Sequence, residues 1–114
     1  FWGRADERGG GAGEGATRNF PLALGSDEAA YLAALDEASR VVSAFCPDRL
    51  VISLGTDTLA GDPTGTFRLA VDSFARIGER LARLRRPAVI VQEGGYNVAE
   101  IGRCVRRFFD GLLL

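Results

Sequence analysis

The sequence predicts an α/β fold: the C-terminal part of a three-layer α/β/α arrangement with a parallel sheet. Two short runs, 50–54 and 88–91, are apolar and β-branched, as in strands that are buried on both faces. Three longer segments, 26–46, 67–86 and 101–112, carry apolar residues at helical spacing. The resulting order is helix, strand, helix, strand, helix. Such alternation implies parallel strands that are joined by helical crossovers.

The first predicted helix begins near Ser26, a residue type that caps helix N-termini. Asp27 and Glu28 follow in the first turn, where the helix dipole favours negative charge. Pro47 ends the helix. Between these limits the apolar residues at helical spacing are Tyr31, Leu35, Ala38, Val42 and Phe45.

The second and third predicted helices follow the two strands. The stripe of the second helix consists of Phe67, Val71, Phe74, Ile77, Leu81 and Leu84, and that of the third of Ile101, Val105, Phe108 and Leu112. Two parallel strands make too small a sheet to stand alone with both edges open. The chain also contains no methionine, and we therefore expect it to continue before Phe1 with the remaining strands.

Composition excludes several classes of function. A net charge of −1, with 46% hydrophobic and 25% charged residues, is typical of a globular protein and favours neither nucleic acid nor an anionic membrane. No apolar run approaches the roughly 20 residues of a membrane span and no signal peptide is visible, which predicts a cytoplasmic protein. Cys46 and Cys104 are too few for a disulfide framework or a zinc finger, and we expect both to be buried, inert thiols.

Residues 1–25 form a glycine-rich, charged segment that is predicted to be a loop, because glycine loses much conformational freedom in a regular element. From composition alone, a flexible linker is an equally good interpretation.

Two loops at the carboxyl ends of the strands are the best candidates for chemistry, because ligands of parallel sheets bind at that edge. The first, 55–65, exceeds the usual length of about 2–6 residues for such a connection. Its Asp57 is suited to bind a metal, or alternatively to accept hydrogen bonds from local amides in a turn. For Asp62, which precedes a proline, we favour the turn.

The second loop, 92–97, contains Gly94, Gly95 and Tyr96. The glycines allow close approach of a ligand to the backbone, or a positive φ before the tyrosine. A phenol stays protonated at neutral pH and can stabilise an oxyanion when it is aimed at a carbonyl oxygen. Turn glycines followed by a packing tyrosine are an equally good interpretation.

Taken in series, the motifs resemble the C-terminal third of the histone deacetylase and acetylpolyamine amidohydrolase family, on the side of class II and the bacterial enzymes. The matching segments are Ala5-Asp6-Glu7-Arg8-Gly9, Gly13-Glu14-Gly15, Asn19-Phe20-Pro21-Leu22, Leu54-Gly55-Thr56-Asp57-Thr58-Leu59-Ala60-Gly61-Asp62-Pro63 and Glu93-Gly94-Gly95-Tyr96-Asn97. The resemblance implies an arginase-like fold and one zinc ion (Zn2+) that is held by two aspartates and a histidine. It also implies that 1–25 is an active-site loop and not a linker.

The resemblance assigns roles to individual residues. Asp57 matches the second aspartate ligand of zinc, and Tyr96 matches the tyrosine that polarises the acetyl carbonyl. Gly94 and Gly95 match glycines of the pocket wall. Phe1 or Trp2 is expected to line the substrate tunnel.

The chain contains no histidine, so the general base and the histidine ligand are absent from it. The resemblance therefore predicts that residues 1–114 are the C-terminal portion of a single deacetylase domain, with 26–114 as its helix-strand-helix-strand-helix part. The isolated chain should neither hold zinc nor hydrolyse substrate. Acetylated polyamines or acetyl-lysine are the expected substrates, and the full-length protein can form a homo-oligomer. Thr64 stands where some polyamine-specific relatives have a glutamate, which argues against that specificity device.

Two alternatives remain open. The chain could be a non-catalytic remnant that serves only as a folding or interaction module. An unrelated nucleotide-binding unit is the third interpretation, but the chain lacks a glycine-rich phosphate turn between a strand and a helix.

Overall fold

The fold of residues 3–114, as described by a computed structural model, has the predicted order of elements. Its regular elements are α1 (Glu28–Phe45), β1 (Leu50–Leu54), α2 (Ser73–Ala82), β2 (Ala88–Gln92) and α3 (Ile101–Leu112). The two strands pair in parallel, with Leu50 opposite Ala88 and Leu54 opposite Gln92. The predicted α/β class and the parallel pairing are confirmed.

The core lies on one side of the sheet. Leu54 and Ile90 point into a cluster that contains Phe74 of α2 and Phe108 of α3, both of them fully buried. The opposite side is open within the described residues, since Val51 is 74% exposed and Val89 is 61% exposed. The prediction of strands covered on both faces therefore holds for one face only in this part of the chain.

Helices α2 and α3 pack with almost no gap between their backbones. A Cβ atom at Gly111 would overlap the carbonyl oxygen of Ala75, and one at Gly78 would overlap that of Phe108. A Cβ atom at Gly102, by contrast, would have nothing within 4 Å of it. The close approach of α2 and α3 thus depends on glycine at two positions, one on each helix.

Helix α2 is shorter than predicted, because it begins at Ser73 and not near Phe67. Before it, the chain is held in an extended bridge in which Leu69 pairs with Leu59. Ala60 donates its N–H to the carbonyl of Leu69 at 2.8 Å. The apolar spacing of this segment reflects burial of a loop residue, Leu69, and not a continuous helix.

The ends of α1 also differ from the prediction. Asp27, not Ser26, caps the helix, and its carboxylate accepts the N–H of Ala30 at 3.0 Å. At the other end Cys46 takes a left-handed conformation with φ 56° and is exposed. The prediction that Cys46 is buried is therefore wrong, because the C-terminal end of α1, at residues 43–46, is exposed in the described part of the chain. Cys104 is fully buried, as predicted.

The glycine-rich segment folds back on itself and contains one short 3-10 turn, Gly11–Gly13. Asn19 donates from Nδ2 to the carbonyl of Arg4 at 2.9 Å, which joins two parts of the segment that are far apart in sequence. These contacts give the segment a defined path. Phe1 and Trp2, expected to line a substrate tunnel, lie outside the described residues. Among residues 3–114 no helix is both long and apolar enough to cross a lipid bilayer.

Candidate functional site

The two candidate loops leave the sheet side by side at its carboxyl edge. Beyond the last strand pair, Glu93 donates its N–H to the carbonyl of Leu54 at 2.9 Å, and Thr56 donates its N–H to the carbonyl of Gly94 at 2.8 Å. Backbone pairing therefore continues into both loops. Because the pairing is parallel, it brings the residues after β1 next to those after β2.

Asp57 packs its carboxylate against the second loop. A Cβ atom at Gly94 would overlap Oδ2 of Asp57, and one at Gly55 would lie 2.8 Å from Oδ1. Any larger residue at position 94 would displace the carboxylate. Glycine is needed there because of this close approach, and not because of a turn.

The Asp57 carboxylate is half-buried and accepts no hydrogen bond from residues 3–114. The side-chain hydrogen bonds at this edge of the sheet are instead accepted by Asp62. The alternative role of Asp57, as an acceptor for local amides in a turn, is therefore not what the structure shows. Its oxygens keep their acceptor capacity and can serve a ligand.

Tyr96 follows a glycine that no other residue could replace without strain. Gly95 has φ 139°, and a Cβ atom there would overlap Oγ1 of Thr56. The Tyr96 side chain is 55% exposed, so packing within the described residues does not fix it. Thr56 itself is buried, and its hydroxyl has no hydrogen-bond partner in the described part of the chain.

Asp62 connects the two loops. Its Oδ2 accepts the N–H of Tyr96 at 2.7 Å and that of Asn97 at 3.1 Å. Its Oδ1 accepts the N–H and the hydroxyl of Thr64, both at 2.9 Å, and the N–H of Gly65 at 3.3 Å. The turn role predicted for Asp62 is confirmed, but sequence reasoning missed its reach to the second loop, since contacts between residues so far apart in sequence leave no local signal.

Electrostatics agree with this arrangement. Burial of Asp62 opposes its ionisation, but hydrogen bonds from Tyr96, Thr64 and Asn97 outweigh burial and lower the pKa of the carboxyl group from 3.8 to about 2. Asp62 is therefore charged at neutral pH, and its hydrogen bonds are charge-assisted.

Tyr31 of α1 also lies near the site, although sequence analysis assigned it only to the core. Burial raises the pKa of its phenol, and the negative charge of Asp57 raises it further. Its ring packs edge-on against Phe67, with 6.1 Å between ring centroids. Tyr31 is therefore neutral at neutral pH, and it lies close enough to Asp57 for that charge to affect its ionisation.

The residues at this edge of the sheet can supply one ligand to a metal ion but not a complete set of ligands. Within residues 3–114, no three histidine, cysteine, aspartate or glutamate side chains come together as potential ligands. Catalytic zinc sites commonly use three protein ligands and keep one position open. Asp57, half-buried and without a hydrogen-bond donor in the described residues, has the chemistry of one such ligand.

Comparison with known proteins gives consistent matches. The Histone deacetylase domain family matches residues 1–112. Acetylpolyamine amidohydrolase 1 from Pseudomonas aeruginosa is 52% identical over 102 residues, which are 90% of this chain and 30% of that protein. Histone deacetylase 1 from Homo sapiens is 34% identical over 107 residues, which are 91% of this chain and 22% of that protein.

The fold matches a solved structure as well. The crystal structure of acetylpolyamine aminohydrolase from Burkholderia pseudomallei superposes with a TM-score of 0.93 at 44% identity, and the match covers 96% of this chain and 32% of that chain. The present chain thus spans less than a third of the length of the curated relatives described above.

Proposed function

The chain belongs to the histone deacetylase family, and we propose that it forms one wall of the active site of a zinc-dependent amidohydrolase that removes acetyl groups from amines. The rest of that site is supplied by chain outside these 114 residues. The full-length protein that carries this chain is called the parent protein below. The observation that carries the proposal is the packing of the Asp57 carboxylate against Gly94, two residues before Tyr96.

Asp57 is proposed as a zinc ligand. Its carboxylate is held at the carboxyl edge of the sheet by the close approach of Gly55 and Gly94, and its oxygens are not used by donors of the described residues. A bound zinc ion supplies Lewis-acid chemistry for attack of water on an amide carbonyl. Because one carboxylate is a weak zinc site and the chain has no histidine, the isolated chain should neither retain the metal nor hydrolyse an amide.

Tyr96 is proposed as the catalytic hydrogen-bond donor. The phenol O–H group can donate a hydrogen bond to the carbonyl oxygen of the substrate. That hydrogen bond strengthens as negative charge develops on the oxygen, which lowers the barrier. Gly94 and Gly95, which precede this tyrosine and pack against Asp57 and Thr56, are proposed as part of the wall of the acetyl pocket. Phe1 and Trp2 remain candidates for the tunnel wall.

Acetylated polyamines and acetyl-lysine peptides are the two proposed substrate classes. The names of the relatives include both acetylpolyamine amidohydrolases and histone deacetylases. Thr64, at the position discussed for polyamine selection, is neutral and directs its hydroxyl to Asp62. This residue therefore supplies no negative charge for a cationic substrate.

The test is the activity of the purified parent protein on both substrate classes. Tyr96→Phe should retain zinc and lower kcat by roughly 100- to 1000-fold, the scale for loss of an oxyanion donor. Tyr31→Phe is the matched control, because it removes a phenol from the same neighbourhood and should leave kcat near that of the wild type. Equal activity of the wild type and Tyr96→Phe would contradict the role of Tyr96.

The metal role of Asp57 is tested by elemental analysis. Asp57→Ala should lower the zinc content of the parent protein, whereas Asp48→Ala, which removes an exposed carboxylate after α1, should not. Full zinc occupancy of Asp57→Ala would assign Asp57 a structural role. A parent protein that hydrolyses neither substrate class would support a non-catalytic remnant.

A further inference from the structure

The direction of the Tyr96 side chain depends on its backbone, since the side chain itself has few contacts. It is 55% exposed, and it follows two glycines, of which Gly95 has φ 139°. Such a segment can adopt several backbone conformations at little cost. Something outside the segment must therefore hold Tyr96 in one of them.

Asp62 provides that constraint. One of its carboxylate oxygens accepts both N–H groups of Tyr96 and Asn97, at 2.7 and 3.1 Å. The other oxygen is fixed by Thr64 and Gly65 of its own loop. We propose that Asp62 is a positioning residue that sets the orientation of the Tyr96 phenol relative to Asp57. This inference rests on the proposed function.

The arrangement requires a carboxylate and not merely a polar side chain. Every group around Asp62 is a donor: the N–H groups of Tyr96 and Asn97 on one oxygen, and the N–H and O–H groups of Thr64 on the other. A carboxylate accepts on both sides, whereas an amide turns an NH2 group toward one of them. Asp62→Asn must therefore break either the contact to the second loop or the contact within its own loop.

The expected effect is a loss of turnover without a loss of metal. Misplacement of a reacting group by about 1 Å can cost about 100-fold in rate. In the parent protein, Asp62→Asn should lower kcat by about 10- to 100-fold, with KM and zinc content close to those of the wild type. A residue that merely supports the fold would instead lower the amount of folded, zinc-loaded protein.

A double-mutant cycle separates the two roles. If Asp62 acts through the Tyr96 phenol, Asp62→Asn should change kcat by no more than about 2- to 3-fold in the Tyr96→Phe background, because coupled residues are not additive. An equal loss of kcat in both backgrounds overturns the positioning role while the proposed function stands. Wild-type activity of Tyr96→Phe overturns the proposed function instead.

A second pair of variants keeps the inference testable if Asp62→Asn does not fold. Thr64→Val removes one donor to Asp62 but leaves the carboxylate in place, and should lower kcat several-fold with zinc retained. Thr64→Ser keeps the hydroxyl and should restore kcat to near the wild-type value. The inference is overturned if Thr64→Val has the same kcat as the wild type. It is also overturned if Thr64→Val lowers kcat by the same factor in the wild-type and in the Tyr96→Phe background.

Discussion

The contact between α2 and α3 predicts that one methyl group at Gly111 destabilises the protein. In Gly111→Ala the new Cβ atom would overlap the carbonyl oxygen of Ala75, and would lie 2.8 Å from the carbonyl carbon of Ala75 and 3.0 Å from the nitrogen of Glu79. All of these are backbone atoms of α2. No side-chain rotation can relieve the overlap, so the two helices must move apart.

The size of the effect follows from two opposing terms. Overpacking of a close-packed site costs about 1–3 kcal/mol, and more when backbones must separate. Replacing glycine by alanine inside a helix contributes about 1 kcal/mol in the opposite direction. Because the contact at Gly111 is with backbone, we expect the high end of the cost, and a net destabilisation of about 2 kcal/mol.

Gly102→Ala is the matched control. Gly102 lies in the same helix, but its new Cβ atom would have no neighbouring atom within 4 Å, so only the helix term remains. Because Gly102 is the second residue of α3 and not in its middle, we expect this variant to gain at most about 0.5–1 kcal/mol of stability over the wild type. Urea unfolding of the two variants of the parent protein, followed by circular dichroism, measures both values. If Gly111→Ala were as stable as Gly102→Ala, the helices would not be in backbone contact.

Two further predictions follow. The carboxyl group of Asp62 has a pKa of about 2 in the folded protein, below its ordinary value of 3.8, so its ionised form stabilises the fold above pH 4. The difference in free energy of unfolding between wild type and Asp62→Asn, measured by urea unfolding, should therefore shrink by about 2 kcal/mol from pH 5 to pH 2. A difference that stays constant over this range would show that hydrogen bonds to the ionised Asp62 carboxylate do not stabilise the fold. Exposed Cys46 should react with a thiol reagent in the native protein, and buried Cys104 only after unfolding; labelling of both at equal rates would contradict the described burial.

Sequence patterns correctly predict the helices and strands that depend on nearby residues. The same patterns give wrong bounds where a contact between distant residues determines the local structure. The β-branched runs of β1 and β2 and the apolar stripe of α3 are sufficient to locate these elements within about a residue. The early part of the predicted second helix is wrong because Leu69 pairs with Leu59, which no periodicity reveals. The last turn of α1, with Phe45 and Cys46, is exposed in the described part of the chain, although the apolar spacing suggests burial.

The candidate site shows the same limit. That Asp57 and Tyr96 share one edge follows from parallel pairing and the positions of two loops. The reason for glycine at position 94 is direct contact with the Asp57 carboxylate, a tertiary contact that leaves no mark in the local sequence. The role of Asp62 in holding Tyr96 is also absent from the sequence, because a turn aspartate and a cross-loop acceptor have the same local neighbours.

The first loop presents two carboxylates to different parts of the second: Asp57 to Gly94, and Asp62 to the amides that follow. The number of residues between Asp57 and Asp62 therefore sets the distance between these two contacts. An insertion or deletion within 58–61 would move one contact relative to the other. A redesign of these two loops should accordingly replace side chains and keep the number of residues unchanged.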